Sequence, residues 1–137
     1  ARLLEARVRH ACAIVLRGES DATVPMAASA LGQVLINVVL NAAQAIERSD
    51  RGDGLIELVV EDADQEIAIH VIDDGPGIPA ALLARIFEPR FTTREGGSGL
   101  GLDLTRRLVE DAGGRVEVTS VPGRTEMIVR LPRVSAT

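Results

Sequence analysis

Lysine does not occur in this chain; all 15 basic residues are arginine. Two kinds of phosphate chemistry go with it, the Walker-type loop and the eukaryotic-type protein kinase, because each places a specific lysine on phosphate. Tryptophan and tyrosine are also absent, which leaves Phe87 and Phe91 as the aromatics. With so few rings and a net charge of -5, the chain offers neither a stacking platform nor a basic footprint, and nucleic acid is not expected as a partner. The single cysteine, Cys12, rules out an internal disulfide, and with His10 and His70 as the only histidines a zinc site is not expected either. No apolar run reaches the roughly 20 residues that cross a bilayer, and the N-terminus has no signal-peptide pattern. A cytoplasmic domain without membrane contact of its own is expected, whether free or within a membrane-anchored parent.

What is present is enough for one core: 137 residues, 46% of them hydrophobic, read as a single domain over 1–137. Leu4, Val8, Ala11 and Val15 recur at helical spacing, so residues 2–17 are expected to form a short helix, and 1–27 a helix plus connecting segment. From Ala28 to Arg48, Leu31, Val34, Leu35, Val38, Ala42, Ala45 and Ile46 line one broad face of a longer helix. Leu55 to Val60 and Ile67 to Ile72 are rich in β-branched residues and joined by the acidic "EDADQE", which predicts a hairpin. Ala80 to Arg85 predicts a turn or two of helix, "IFEPRFTTREGGSG" a long loop, and Leu102 to Ala112 a helix stopped by Gly113-Gly114. Arg115 to Thr119 and Glu126 to Leu131 predict two closing strands, completing an α+β, two-layer architecture.

Three constellations carry candidate chemistry. On the long helix Gln33, Asn37, Asn41, Gln44 and Arg48 form a polar stripe, and asparagine oxygens suit a magnesium ion that keeps most of its waters; a solvated helix face accounts for the stripe equally well. In "Asp73-Asp74-Gly75-Pro76-Gly77-Ile78", a carboxylate at a strand end can accept the amine hydrogen of adenine, and two glycines let a flat group approach; an ordinary Asp-Gly turn is the plainer alternative. "GGSGLGL", Gly96 to Leu102, puts four glycines in seven residues directly before a helix. Backbone N–H groups of such a turn can form an anion nest in place of the missing lysine, with Arg90 and Arg94 upstream as further phosphate partners; a flexible linker is the plainer alternative, weakened because the glycines abut a helix directly.

In order, Asn-x-x-x-Asn, Asp-x-Gly-x-Gly, Phe-x-x-x-Phe-Thr-Thr and Gly-x-Gly-Leu-Gly-Leu resemble the ATP-binding catalytic domain of bacterial sensor histidine kinases. "QVLINVVLNAAQAI" and "IFEPRFTTREGGSGLGLDLTRRLVEDAGGRVEV" look most like the nitrogen-regulator and PAS-linked branch, and the resemblance covers about residues 28 to 132. It implies a Bergerat-type sandwich, a mixed sheet with helices on one face, and ATP with magnesium as ligands. It also implies Asn41 on the metal, Asn37 near the phosphates, and Asp73 on adenine with Gly75, Gly77 and Ile78 beneath the base. Phe87 and Phe91 would belong to a lid, with Thr92, Thr93 and Arg94 near the terminal phosphate. Gly97, Gly99, Leu100, Gly101 and Leu102 would form the phosphate turn, and Thr125 would assist Asp73. Where hydrolysing relatives of the superfamily carry a glutamate base, this chain has Asn37, and an amide cannot take a proton from water. The resemblance therefore implies transfer of the γ-phosphoryl group to a histidine of a partner dimerisation domain, and then to a response regulator. His10 is followed by Ala11 and His70 lies in a predicted strand, so neither reads as the acceptor, and the acceptor hairpin is expected to lie outside this chain.

Two departures stand beside the match: "Gly123-Arg124-Thr125" has one glycine fewer than the family's last box, and Arg90 replaces a common aromatic. A nucleotide-binding scaffold without phosphotransfer and an anti-sigma-type serine kinase of the same fold remain as alternative readings.

Overall fold

Along Arg124–Pro132, Thr125, Met127, Val129 and Leu131 are buried while their neighbours are half-buried or exposed. Period two with one buried face is what a strand produces when one side of its sheet is covered. The computed structural model describes residues 13–18, 20, 22–48, 54–63, 65–88 and 102–134. Within them lie β1 (Ala13–Arg17), α1 (Ala28–Arg48), β2 (Leu55–Asp62), β3 (Glu66–Asp73), α2 (Ala80–Leu83), α3 (Leu102–Asp111), β4 (Arg115–Val121) and β5 (Arg124–Pro132).

The five strands form one sheet in the order β1-β2-β3-β5-β4, parallel between β1 and β2 and antiparallel elsewhere. The predicted hairpin joins β2 to β3, and the two closing strands pair as a second hairpin around Pro122-Gly123. Proline followed by a glycine at φ 86° is the residue pattern of a type II turn.

Residues 13–17 correct the expectation of a helix. The helical spacing of Leu4, Val8, Ala11 and Val15 includes only one residue of β1, whereas Ile14 and Val15 are β-branched and pair in parallel with β2. That pairing is non-local and leaves no period in so short a segment. The predicted positions in residues 1–12 lie outside the described residues.

Helix α1 spans the predicted Ala28 to Arg48 and buries Val34, Val38, Val39, Ala42, Ala43 and Ile46. By length and composition Ala28–Glu47 is apolar enough to cross a membrane, which corrects the expectation that no segment is. Here its apolar face packs within the domain. One group of buried side chains joins Val38, Val39, Ala42 and Ile46 of α1 to Ile56, Val71, Ile86, Leu102 and Met127. A second joins Val34 to Ile67, Ile69, Val109, Val129 and Leu131. Helices α1 and α3 thus cover the same face of the mixed sheet, as the α+β sandwich requires.

The opposite face is charged. His70 in β3 has Nδ1 2.5 Å from Glu126 Oε2 and Nε2 2.5 Å from Glu61 Oε1, tying three strands together. Arg130 donates from Nε to Glu117 and from Nη1 to Glu66. His70 stands in a strand, as its sequence context predicts.

Candidate functional site

The inward face of the sheet is apolar row by row until its last row. Strand register places Ile14, Ile56, Asp73, Thr125 and Ser120 side by side across all five strands. Two residues of that row are aliphatic and three are polar. Asp73 and Thr125 are directly opposed on β3 and β5, and both are buried. The family resemblance implies an adenine role for both, and pairing across the sheet makes them neighbours despite the long stretch of chain between them.

Burial pushes the Asp73 carboxyl up to about 6; the Gly75 N–H opposes this and the adjacent Asp74 charge adds to it. The Gly75 N–H donates to Asp73 Oδ1 at 2.9 Å, fixing the carboxylate plane. Such a group is costly to bury, and its remaining acceptor capacity suits a further donor, of the kind adenine's exocyclic amine presents.

The two glycines have reasons within the fold as well. Gly77 has φ 89°, and a Cβ there would lie 2.5 Å from the Val121 carbonyl oxygen. A Cβ on Gly75 would fall 2.9 Å from Asp73 Oδ1 and 3.4 Å from the Ala45 Cβ. Open space for a ligand is thus not their sole cause; the loop passes too close to α1 and to the β4–β5 turn for side chains.

Ser120 was not singled out by the sequence. Its Oγ accepts the Ile78 N–H at 2.8 Å and lies 2.7 Å from Thr125 Oγ1. It therefore joins the loop at Ile78 to the threonine beside Asp73. No motif signals it, since a serine near a strand end is commonplace; cross-strand register is what reveals it.

On α1, Asn37 is buried and Asn41, one turn on, is exposed. The Gln33 amide donates from Nε2 to Asn37 Oδ1 at 2.8 Å, and Asn37 Nδ2 donates to Thr105 Oγ1 of α3 at 3.4 Å. Asn37 is thus held between two helices, while Asn41 faces outward from the same stripe. Among the described residues, no group of three or more His, Cys, Asp or Glu is arranged to hold a metal. That donor set does not make an all-protein cage, and it fits an ion that draws most of its oxygens from water and phosphate.

Ile78 is half-buried against the core and Leu102, at the start of α3, is buried in it. Phe87 packs on the same core, with the Arg106 guanidinium carbon 5.1 Å from its ring centre. Arg90, Phe91, Thr92, Thr93, Arg94, Gly97, Gly99, Leu100 and Gly101, together with the rest of the predicted lid and phosphate turn, lie outside the described residues.

A mixed five-strand sheet with helices on one face, and a buried aspartate-threonine pair at one end, make this an α+β domain with a polar edge. The chain belongs to the family of histidine kinase-, DNA gyrase B- and HSP90-like ATPases, which matches residues 26–135. It is 44% identical over 103 residues to the C4-dicarboxylate transport sensor protein DctB of Rhizobium meliloti (strain 1021), covering 75% of this chain and 16% of that protein. Over 107 residues it is 42% identical to the sensory histidine kinase/phosphatase NtrB of Klebsiella oxytoca, covering 73% of this chain and 31% of that one. It thus spans less than a third of these relatives. The nucleotide-free catalytic domain of histidine kinase ThkA superposes with a TM-score of 0.82 at 30% identity, over 96% of this chain and 86% of the other. ThkA in complex with the response regulator TrrA matches with a TM-score of 0.76 at 30% identity, over 97% of this chain and 38% of that one. The chain is a homologue of sensor histidine kinases, and its architecture is that of their catalytic domains.

Proposed function

We propose that this domain binds ATP with magnesium and donates the γ-phosphoryl group to a histidine of a separate dimerisation domain, in a two-component pathway that ends on a response regulator. The observation that carries this reading is the buried pair Asp73 and Thr125, opposed across β3 and β5. A carboxylate accepts from the adenine amine, whereas guanine presents a carbonyl at that position and is repelled. Gly75, Gly77 and Ile78 lie under the base in this reading.

Asn41 would hold the magnesium ion, which, when bound, neutralises phosphate charge. Asn37 stands near the phosphates and cannot act as a base toward water, because its amide has no proton affinity to match and is already engaged by Gln33 and Thr105. Phosphoryl transfer then depends on positioning: the bond from the γ-phosphorus to the ADP oxygen breaks as a phosphorus–nitrogen bond forms on the incoming imidazole. Arg94 and the segment around it would contact the terminal phosphate, and Gly97 to Leu102 the phosphate chain. The reaction belongs on the cytoplasmic side, where ATP is supplied.

Calorimetric titration with ATP and GTP, with and without magnesium, tests the reading. ATP should bind in preference to GTP, and magnesium should strengthen it. Asp73→Asn should weaken ATP by about 1.5 to 3 kcal/mol, roughly tenfold or more, the range for a hydrogen bond to a charged group. Equal affinity of the two proteins for ATP would remove Asp73 from the site. Transfer of label from γ-labelled ATP to a purified histidine-containing hairpin of a relative tests the chemistry.

A further inference from the structure

Hydrogen bonds join the polar part of the transverse row to the loop beside it. Ser120 Oγ accepts the Ile78 N–H at 2.8 Å. Its own proton has two acceptors within reach: Thr125 Oγ1 at 2.7 Å and the Arg124 carbonyl oxygen at 3.4 Å. Hydroxyl hydrogen bonds to oxygen are best between about 2.5 and 3.0 Å, so the contact with Thr125 is the strong one, and either hydroxyl can be its donor. With Ser120 as the donor, one Thr125 lone pair is occupied and the Thr125 O–H is left to donate elsewhere; with Thr125 as the donor, the Ser120 proton turns to the Arg124 carbonyl. Thr125 is buried and stands opposite Asp73. In the first of these polarities the chain of donors runs from the Ile78 N–H, through Ser120, to Thr125, and on toward the space beside the aspartate, and a base that presents an acceptor there selects it.

We propose that Ser120 is a positioning residue for purine selectivity, which fixes Thr125 as a hydrogen-bond donor to the base. The inference rests on the adenine reading of Asp73 given above. Adenine shows an amine donor and, next to it, the ring nitrogen N1 as an acceptor; guanine shows a carbonyl acceptor and an N1–H donor at the same places. An acceptor at Asp73 beside a donor at Thr125 complements the first pattern at both points and opposes the second at both. Without Ser120 the Thr125 hydroxyl is free to rotate, and only Asp73 still reads the edge. The contact from Thr125 to N1 is made directly or through one bridging water, which transmits the same polarity. Ser120 itself touches no part of the nucleotide in this scheme.

The test is a cycle between protein and ligand. Wild type, Ser120→Ala and Ser120→Thr are titrated calorimetrically with ATP and with 1-deaza-ATP, in which a C–H replaces N1. Wild type should lose about 5-fold in affinity on going from ATP to 1-deaza-ATP, the scale of one neutral hydrogen bond. Ser120→Ala should bind ATP about 5-fold more weakly than wild type and show little further loss with the analogue. Ser120→Thr keeps the hydroxyl and should restore the wild-type difference. If Ser120→Ala weakens both ligands by the same factor, or neither, Ser120 is only a structural link and the proposal is overturned. Should Ser120→Ala fail to fold, Ser120→Cys, of similar size but a weak donor, gives the same readout. Failure of the underlying adenine reading looks different: wild type would then bind GTP as well as ATP, and Asp73→Asn would leave ATP affinity unchanged.

Discussion

Asp73 is the residue at which stability and the proposed recognition of adenine pull against each other. Its pKa is raised from an ordinary carboxyl value to about 6, chiefly by burial, so the folded protein holds a proton there that the unfolded chain releases. Folding is then favoured with the group protonated, and this contribution is lost as pH rises from about 4 through about 6. Asp73→Asn has no charge to desolvate and retains an oxygen for the Gly75 N–H. Urea denaturation should find the variant more stable than wild type at pH 7, by about 1 to 3 kcal/mol, with the difference closing below pH 4. A gap independent of pH would argue against the raised carboxyl. Two glycines offer a second comparison at this scale. Gly77 and Gly123 have φ of 89° and 86°, but a Cβ on Gly123 meets nothing within 4 Å while one on Gly77 meets the Val121 carbonyl. Each change to alanine carries the left-handed cost of about 1 to 2 kcal/mol. Gly77→Ala should cost more than Gly123→Ala by equilibrium unfolding, and equal losses would mean that the β4–β5 turn gives way freely.

At the scale of elements, α1 was legible because it is long and its apolar positions recur with one period for five turns. Gly32 is the exception within it: its φ is not in the left-handed region, and a Cβ there would meet nothing within 4 Å. Gly32→Ala should raise stability by about 0.5 to 1 kcal/mol, since helical alanine loses less backbone freedom than glycine. Thermal melting monitored by circular dichroism checks this, and a lower midpoint would reveal crowding near α1. Strand β1 was not legible. Ala13–Arg17 has too few residues to set a period against the helical pattern upstream, and only its partner β2 makes it a strand. Among candidate site residues, Asp73 stood out because it opens a motif with special backbone demands, and Thr125 through the family resemblance alone. Ser120 has no such neighbours, and the motif residues of the lid and phosphate turn were read from pattern alone.

For the molecule as a whole, ligand and fold are thermodynamically linked. A ligand that binds only the folded state at one hundred times its Kd adds about 2.7 kcal/mol of stability. ATP with magnesium should therefore raise the melting midpoint, GTP at equal concentration should do so less, and Asp73→Asn should reduce the ATP shift. The charged outer face has no part in that effect: Glu117 is held below its ordinary value mainly by its hydrogen bond from Arg130, and His70 is enclosed by two carboxylates on the far side of the sheet. The antiparallel pairing of β3 with β5 has a further consequence in time. Asp73 and Thr125 meet only when the last strand inserts between β3 and β4, after a long loop of chain has been closed. Such distant pairings form slowly. During synthesis, a nascent chain that has released Asp73 but not yet Thr125 from the ribosome has one of the two residues of the proposed base-reading edge, so in that reading nucleotide capture and completion of the fold become the same event.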